Sequence, residues 1–287
     1  MKNINESGKD GQSMNKNLFS LKGKVVIITG AAGLLGRQHA NAVVSFGGTP
    51  VLLDLDKKSL KDQTHELNDQ YGIDAISYVV DITIEQEIKQ NCKDVLERYG
   101  KIDALVNNAA NNPKVNEQSG NQFSRLENFS MENWNSDLSV GLTGAFLCAK
   151  YYGTAISTNP EGGVIINISS DLGLIAPDQR LYEKPGLPEN QQPVKPVSYS
   201  VIKTGLIGLT RYLATYWPKK VRCNVLCPGG VGMGLPTEFV ENVITRIPMD
   251  RMAEPDDYQG ALIFLLSDSS KYMNGSVLSI DGGRSIW

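Results

Sequence analysis

The sequence predicts an α/β protein built on a doubly wound parallel sheet. Short runs of β-branched residues alternate along the chain with longer amphipathic segments, which is typical of parallel strands joined by crossover helices on both faces of a sheet. The chain has 287 residues, of which 41% are hydrophobic, and this is enough to bury one large core. No internal repeat or second boundary interrupts the alternation, so we expect a single domain.

Seven strands are predicted from the β-branched runs, at residues 24–29, 49–54, 75–80, 104–107, 164–169, 222–226 and 276–280. Six helices are predicted from the amphipathic segments, at residues 36–46, 58–71, 85–99, 131–156, 199–216 and 255–267. Because one helix separates each pair of successive strands, those strands can run parallel. The predicted architecture is a seven-stranded parallel sheet flanked by helices.

Two segments lie outside this alternation. Residues 1–20 are polar and rich in Asn, and we expect a disordered extension before a folded domain at 21–287. Residues 176–197 contain five prolines, too many for a helix or a central strand. Because this segment joins a strand to the next helix, we expect an inserted loop over the carboxyl edge of the sheet, on the substrate side.

Composition excludes several classes of protein. The net charge is −3 and no long Lys/Arg run occurs, which argues against binding to nucleic acid or to a membrane surface. No signal peptide and no apolar run of about 18 residues is present, so we expect a soluble, cytoplasmic protein that acts on a small molecule. The four cysteines and two histidines do not have metal-ligand spacing, so we predict reduced buried thiols, structural histidines and no metal site.

A glycine-rich turn follows the first predicted strand and leads directly into a helix, with the sequence Thr29-Gly30-Ala31-Ala32-Gly33-Leu34-Leu35-Gly36. Glycines let the backbone approach a pyrophosphate, and the helix N-terminus supplies N–H donors. The pattern predicts a Rossmann-type nucleotide site. At the end of the second strand, Asp54 is suited to accept from a ribose 2′-hydroxyl and to repel a 2′-phosphate. NAD is therefore favoured over NADP, although Lys57 and Lys58 keep NADP open.

Tyr199 and Lys203 lie four residues apart in a predicted helix and therefore share one face. A neighbouring ammonium group favours the phenolate form of tyrosine, which suits the pair to general acid/base chemistry between alcohols and ketones. The same spacing also occurs in solvated surface contacts, so the assignment depends on the rest of the chain.

Four groups of residues occur in a fixed order: Gly30/Gly33/Gly36, Asn107-Asn108-Ala109-Ala110, Ser169-Ser170 and Tyr199/Lys203. With them, the chain from about residue 21 resembles the short-chain dehydrogenase/reductase (SDR) family, in its compact one-domain branch. The resemblance implies that Tyr199 is the acid/base, that Lys203 holds the nicotinamide ribose and lowers the tyrosine pKa, and that Ser170 binds the substrate oxygen.

The resemblance also implies the residues that contact the cofactor. They are Gly30, Gly33, Leu35, Gly36, Asp54, Asp81, Ile82, Asn108, Tyr199, Lys203, Gly229 and Val231. Members of this branch are commonly homotetramers or homodimers that associate through two long helices, here 131–156 and 199–216.

Three positions depart from the family pattern. Leu34 stands where the middle glycine is usual, and Met233 stands where a threonine often follows Pro228-Gly229, in a glycine-rich run expected to form a mobile lid or a flexible surface loop. Gly141 replaces the helix asparagine that marks a distortion whose carbonyl holds a relay water. One hypothesis is that glycine keeps the distortion without the amide. The alternative is that glycine only fits a crowded helix contact.

These observations predict an NAD-dependent oxidoreductase that interconverts a secondary alcohol and a ketone with Tyr199 as acid/base. The loop at 176–197 would present Arg180, Tyr182, Lys184 and Lys195 to a polar or anionic substrate, or would merely carry solvated charges. A weaker similarity to oxidoreductases of flagellin-glycan and surface-sugar pathways favours a sugar or sugar phosphate, and thus carbohydrate metabolism. The alternatives are an NADPH-dependent 3-oxoacyl thioester reductase and a catalytically silent NAD-binding regulatory protein.

Overall fold

A single parallel sheet forms the centre of the protein in the computed structural model, which describes residues 18–111 and 124–286. Its strands are β1 (Val25–Thr29), β2 (Thr49–Asp54), β3 (Ile76–Val79), β4 (Ala104–Asn107), β5 (Gly163–Ile168), β6 (Val221–Pro228) and β7 (Val277–Ile280). They lie in the order β3-β2-β1-β4-β5-β6-β7, and every pair is parallel. The predicted Rossmann-type architecture is confirmed. Most of the predicted extension at 1–20 lies outside the described residues.

Helices connect the strands. They are α1 (Leu34–Ser45), α2 (Lys57–Tyr71), α3 (Glu85–Tyr99), α4 (residues 131–158), α5 (Val197–Tyr216), α6 (Thr237–Ile244) and α7 (Gln259–Leu266). All six predicted helices occur, but α7 begins four residues later than predicted, because 255–258 form turns. The sequence did not predict α6, since a helix of about two turns is too short for its apolar periodicity to stand out.

Two apolar layers cover the sheet. Successive residues of a strand point to opposite faces, so Val26 and Ile28 pack with α1, α2 and α7, whereas Val25 and Ile27 pack with α3, α4 and α5. Burial on both faces explains why the strands are apolar throughout rather than alternating. Successive strands are added to one side of β1 up to β3 and to the other side from β4 onwards. At such a switch point the carboxyl ends of the strands border a ligand crevice.

The proline-rich segment after β5 packs against α6. It contains two short helical turns, Gln179–Tyr182 and Glu189–Gln191. Leu181 is buried in a cluster with Val243, Ile247 and Met252. The Gln192 side chain spans the segment, because its Oε1 accepts from Lys184 N at 2.7 Å and its Nε2 donates to Leu187 O at 2.8 Å. The segment is therefore ordered by its own hydrogen bonds and by its packing on α6.

The four cysteines lie in the interior of the fold. All four cysteines are buried free thiols, and burial raises the pKa of Cys223 to about 12. In the part of the chain that the structure describes, no helix has the length and apolar character needed to cross a membrane.

His39 is buried in α1, close to the Asn108 side chain. Burial lowers its pKa from 6.5 to about 4, because the imidazolium form loses its hydration. The unfolded chain therefore binds a proton at a higher pH than the folded chain does. It follows that stability is lost as the pH falls from about 6.5 to about 4.

We expect the His39→Gln variant to lack this pH-dependent component. The unfolding free energy of the wild type, measured relative to that of His39→Gln, should fall by about 2–3 kcal/mol as the pH is lowered from 7.5 to 4.5. Urea unfolding at both pH values measures it. His65→Gln is the control, since His65 is exposed on α2. A wild-type to His39→Gln difference that is constant with pH would contradict the expectation.

Candidate active site

Three predicted residues meet at the carboxyl end of β5. Ser170 follows this strand, and Tyr199 and Lys203 lie on the first turns of α5. Lys203 is buried, with its Nζ donating to Ile168 O at 2.9 Å and lying 5.6 Å from the centre of the Tyr199 ring. Ser169 Oγ donates to Lys203 O at 2.7 Å. Ser169 therefore fastens α5 to the strand, which leaves Ser170 as the serine beside the tyrosine.

The electrostatics of Tyr199 differ from the sequence expectation. Burial raises the pKa of Tyr199 above its ordinary value, while a hydrogen bond with Ser170 acts in the opposite direction. The expectation that Lys203 brings this pKa towards neutrality is wrong for the described structure. Burial is the largest influence on this pKa, because a buried phenolate loses its solvation.

Ser170 is the first member of a polar chain that ends at the C-terminal segment. Its Oγ donates to Asp171 Oδ1 at 2.7 Å, and Arg284 Nη1 donates to Asp171 Oδ2 at 2.8 Å. Asp171 is buried, and Arg284 is partly buried. Sequence reasoning missed Asp171 and Arg284 as site residues, because their contact joins positions 113 residues apart. The chain fixes the orientation of the Ser170 hydroxyl.

The glycine-rich turn has the geometry that a pyrophosphate requires. Gly30 has φ +63°, and a Cβ there would lie 2.8 Å from Ala109 Cα. A Cβ at Gly36 would lie 2.1 Å from Gly30 O, so neither position accepts a side chain. Gly33 begins α1 without a side-chain cap, and the first turn carries no acidic residue. The N–H groups of this turn therefore suit a bound phosphate, and the Leu34 departure leaves the turn intact.

Asp54 and Asn108 border the same turn. Asp54 Oδ2 accepts from Ala32 N at 3.0 Å, and its Oδ1 accepts from Leu55 N at 2.7 Å. Asn108 Nδ2 donates to the carbonyls of Thr29 and Gly30, both at 3.0 Å. The carboxylate is thus fixed beside the glycine backbone, and Asn108 joins β4 to β1 at the switch point.

The remaining cofactor candidates are spread along the carboxyl edge. Asp81 is tied to its own turn, since its Oδ1 accepts from Thr83 N at 2.8 Å. Ile82 is buried against α4, and Leu35 is partly buried against the core. Val231 pairs with Ala253, so the first half of the glycine run at 229–234 is anchored. Met233, farther along the run, is exposed.

Gly141 lies in a distorted stretch of α4. The helix widens into a π-type turn over Ser139–Thr143, which is the distortion that the sequence hypothesis required. A Cβ on Gly141 would lie 2.6 Å from Ile202 Cγ2. The crowded contact named as the alternative is therefore present as well, and glycine serves both the widened turn and the approach of α5.

The cations of the proline-rich segment have different environments. Arg180 is exposed, and its Nε and Nη2 each donate to Asp178 at 2.8 Å. Lys184 is tied through its backbone to Gln192. Lys195 instead lies over the Tyr199 ring, with Nζ 3.8 Å from the ring centre. The structure thus brings Lys195 into the site and leaves Arg180 on the surface.

Comparison with known proteins agrees with this geometry. A family model described as short chain dehydrogenase matches residues 24–182, and one described as enoyl-(acyl carrier protein) reductase matches residues 189–285. The chain belongs to the short-chain dehydrogenase/reductase family. It is therefore an NAD(P)-dependent oxidoreductase that acts on CH–OH groups.

Relatives of this SDR include enzymes for different substrates. An NADP-dependent mannitol dehydrogenase from Alternaria alternata is 31% identical over 276 residues, covering 93% of this chain and 94% of the relative. A 3-oxoacyl-(acyl-carrier-protein) reductase from Thermotoga maritima is 30% identical, covering 92% and 98%. The solved structure of an NAD+-bound xylitol dehydrogenase superposes with a TM-score of 0.79 at 26% identity, covering 92% and 99%.

A methyl group added at Gly141 should disturb the contact between α4 and α5. Gly141→Ala forces Ile202 to move, so we expect the unfolding free energy to fall by about 1–3 kcal/mol. This is the opposite of the usual effect, since alanine normally stabilises a helix relative to glycine. Urea unfolding measures this loss. The double variant Gly141→Ala/Ile202→Ala should lose less stability than the sum of the losses of the two single variants, because the clashing Cγ2 is removed.

Gly141→Asn tests the relay hypothesis at the same position. Because the larger side chain meets the same Ile202 contact, we expect lower stability and no gain in kcat. A rise of tenfold or more in kcat would show instead that the native relay lacks the amide.

Proposed function

We propose that this SDR is an NAD-linked dehydrogenase that interconverts a secondary alcohol and a ketone on a sugar, polyol or sugar phosphate. The observation that carries the proposal is the enclosed group of Ser170, Tyr199 and Lys203 at the end of β5, on the same edge of the sheet as the glycine-rich turn. A proton carrier, an oxygen ligand and a fixed cation are what alcohol–ketone chemistry needs beside a nicotinamide.

Tyr199 is the proposed acid/base. When bound, the nicotinamide supplies or accepts the hydride at the substrate carbon. Tyr199 Oη takes the hydroxyl proton as the alcohol is oxidised and returns it when the ketone is reduced. One proton of the Lys203 ammonium is used by Ile168 O, and the other two are available to ribose hydroxyls.

Ser170 is proposed to hold the substrate oxygen. In the structure its hydroxyl proton goes to Asp171, so its oxygen is an acceptor towards other groups. Donation to a developing oxyanion requires only that the O–H turn from Asp171 to the substrate, which is rotation about one bond. Asp171 and Arg284 are positioning residues in this scheme.

NAD is the proposed cofactor because of Asp54. Its carboxylate is fixed by backbone N–H groups at the glycine-rich turn, where it is suited to accept from a ribose 2′-hydroxyl and to repel a phosphate. The relatives differ in their cofactor, since the mannitol dehydrogenase is NADP-dependent and the xylitol dehydrogenase structure holds NAD+. In this chain Arg37 is bonded to Ala32 O and Glu66.

The polyol relatives support a hydroxylated substrate. Mannitol and xylitol are acyclic polyols, and their dehydrogenases match this chain over more than nine-tenths of its length. The 3-oxoacyl reductase relative keeps a thioester reductase as the second candidate. The link to flagellin-glycan or surface-sugar pathways stays a prediction.

Self-association through α4 and α5 is also proposed. Both helices present large exposed apolar or aromatic side chains, including Phe146 on α4 and Tyr212 and Tyr216 on α5. A homodimer or homotetramer would cover them.

We expect Tyr199→Phe to lower kcat by about 10²- to 10⁴-fold, because the proton carrier is lost. Oxidation of mannitol, xylitol and threitol, and reduction of the matching ketoses, is followed by nicotinamide absorbance. Tyr272→Phe is the matched control and should keep wild-type turnover, since Tyr272 is fully exposed and lies outside the helices proposed to associate. Turnover by Tyr199→Phe at the wild-type rate would refute the catalytic role.

We expect Asp54→Asn to weaken the preference for NAD. The ratio of kcat/KM with NAD to that with NADP should fall at least tenfold, because the charge that repels a 2′-phosphate is removed. Asp56→Asn is the control, since Asp56 caps α2 by accepting from Lys58 N and Ser59 N, and it should change the ratio less than threefold. A wild type that prefers NADP would overturn the cofactor proposal.

A further inference from the structure

A second ammonium group lies against the ring of Tyr199. Lys195 precedes Tyr199 by four residues, just as Tyr199 precedes Lys203. Lys195 Nζ lies 3.8 Å from the ring centre, closer than Lys203 Nζ at 5.6 Å. Lys195 and Tyr199 line one small cavity together with Ser198 and Asp137. Both ammonium groups therefore lie against the same phenol ring, and Lys195 also lines the cavity beside it.

The fold places Lys195 at this point. Its backbone N–H donates to Gln179 Oε1 at 2.8 Å, and the next residue, Pro196, is the N-terminal cap of α5. The side chain is half-buried. A lysine that is already ordered loses less side-chain entropy when it binds a ligand than a solvated lysine does.

The charges around Tyr199 include carboxylates as well as the two ammonium groups. Asp137 lines the same cavity as Lys195 and accepts a hydrogen bond from Ser198 Oγ. Asp171 acts on Lys195 and also accepts from Arg284 Nη1 at 2.8 Å. Burial lowers the pKa of Lys195 to about 8. Burial and the charge of Lys195 lower the pKa of Lys203 to about 8. A bound anion would favour the charged form of both lysines.

From this arrangement we propose that Lys195 binds an anionic substituent of the substrate, a carboxylate or a phosphate, close to the carbon that reacts at Tyr199. The inference rests on the proposed oxidoreductase function and narrows its substrate class to sugar acids or sugar phosphates. Lys195 is then a specificity residue. Its ammonium group pairs with the anion, and Tyr199 transfers the proton.

Three alcohols with the same six-carbon chain test the proposal: D-glucitol is neutral, D-gluconate carries a carboxylate and D-glucitol 6-phosphate carries a phosphate. With NAD+, the wild type should have a higher kcat/KM for one of the two anions than for D-glucitol. Lys195→Met should lower this ratio at least tenfold, and Lys195→Arg should keep it within threefold. The anion whose kcat/KM ratio to D-glucitol falls in Lys195→Met shows whether Lys195 binds a carboxylate or a phosphate.

Arg180→Gln is the matched control, because it removes one positive charge from the same segment at an exposed position paired with Asp178. It should leave the ratio within twofold of the wild type. If Lys195→Met slows all three alcohols equally, Lys195 acts on Tyr199 and the proposal is wrong. It is also wrong if the wild type prefers D-glucitol to both anions.

Calorimetry separates this proposal from the proposed function. The NADH-loaded protein is titrated with the three alcohols, so binding is measured without turnover. Wild type should bind D-gluconate or D-glucitol 6-phosphate at least tenfold more tightly than Lys195→Met does. Anion binding that depends on Lys195 without turnover of any alcohol would refute the dehydrogenase proposal alone. Anion binding that is absent, or is equal in both proteins, would refute the role of Lys195.

Discussion

The site depends on two reciprocal hydrogen bonds between α5 and the end of β5. Lys203 Nζ donates to Ile168 O at 2.9 Å, and Ser169 Oγ donates to Lys203 O at 2.7 Å. Both bonds are buried, where leaving either partner unpaired would cost free energy. They set the position of the helix along the strand, and so they set the distance between Tyr199 and Ser170. Lys203 therefore has a structural role, which is to position α5, in addition to its proposed role in binding the cofactor.

Close approach of the helices then explains the glycines around α5. A Cβ on Gly173 would lie 2.9 Å from the Lys203 carbonyl carbon, and one on Gly141 would lie 2.6 Å from Ile202 Cγ2. Because each glycine lacks a side chain, the backbone or a side chain of α5 can approach it closely. The π-type turn at Ser139–Thr143 occurs where α4 is pressed by this contact. An asparagine in place of Gly141 would need a different packing of Ile202.

Local patterns predicted the sheet, six helices and the nucleotide turn, because each follows from periodicity or from glycine geometry within about ten residues. The same patterns could not give the contact of Asp171 with Arg284, which joins distant parts of the chain. They also gave the wrong direction for the pKa of Tyr199. The cation four residues away was visible in the sequence, but the burial that outweighs it depends on the packed segment at 176–197.

Burial and positive charge act on Tyr199 in opposite directions. An enclosed pocket excludes water from a reacting alcohol, but it also raises the pKa of the phenol that must accept the proton. The hydrogen bond with Ser170 and the positive charge of Arg284 oppose this rise. Lys195 and Lys203 place two ammonium groups against the ring, and these two lysines repel each other. A negatively charged substrate removes that repulsion when it binds, so the ligand itself completes the charge balance of the site.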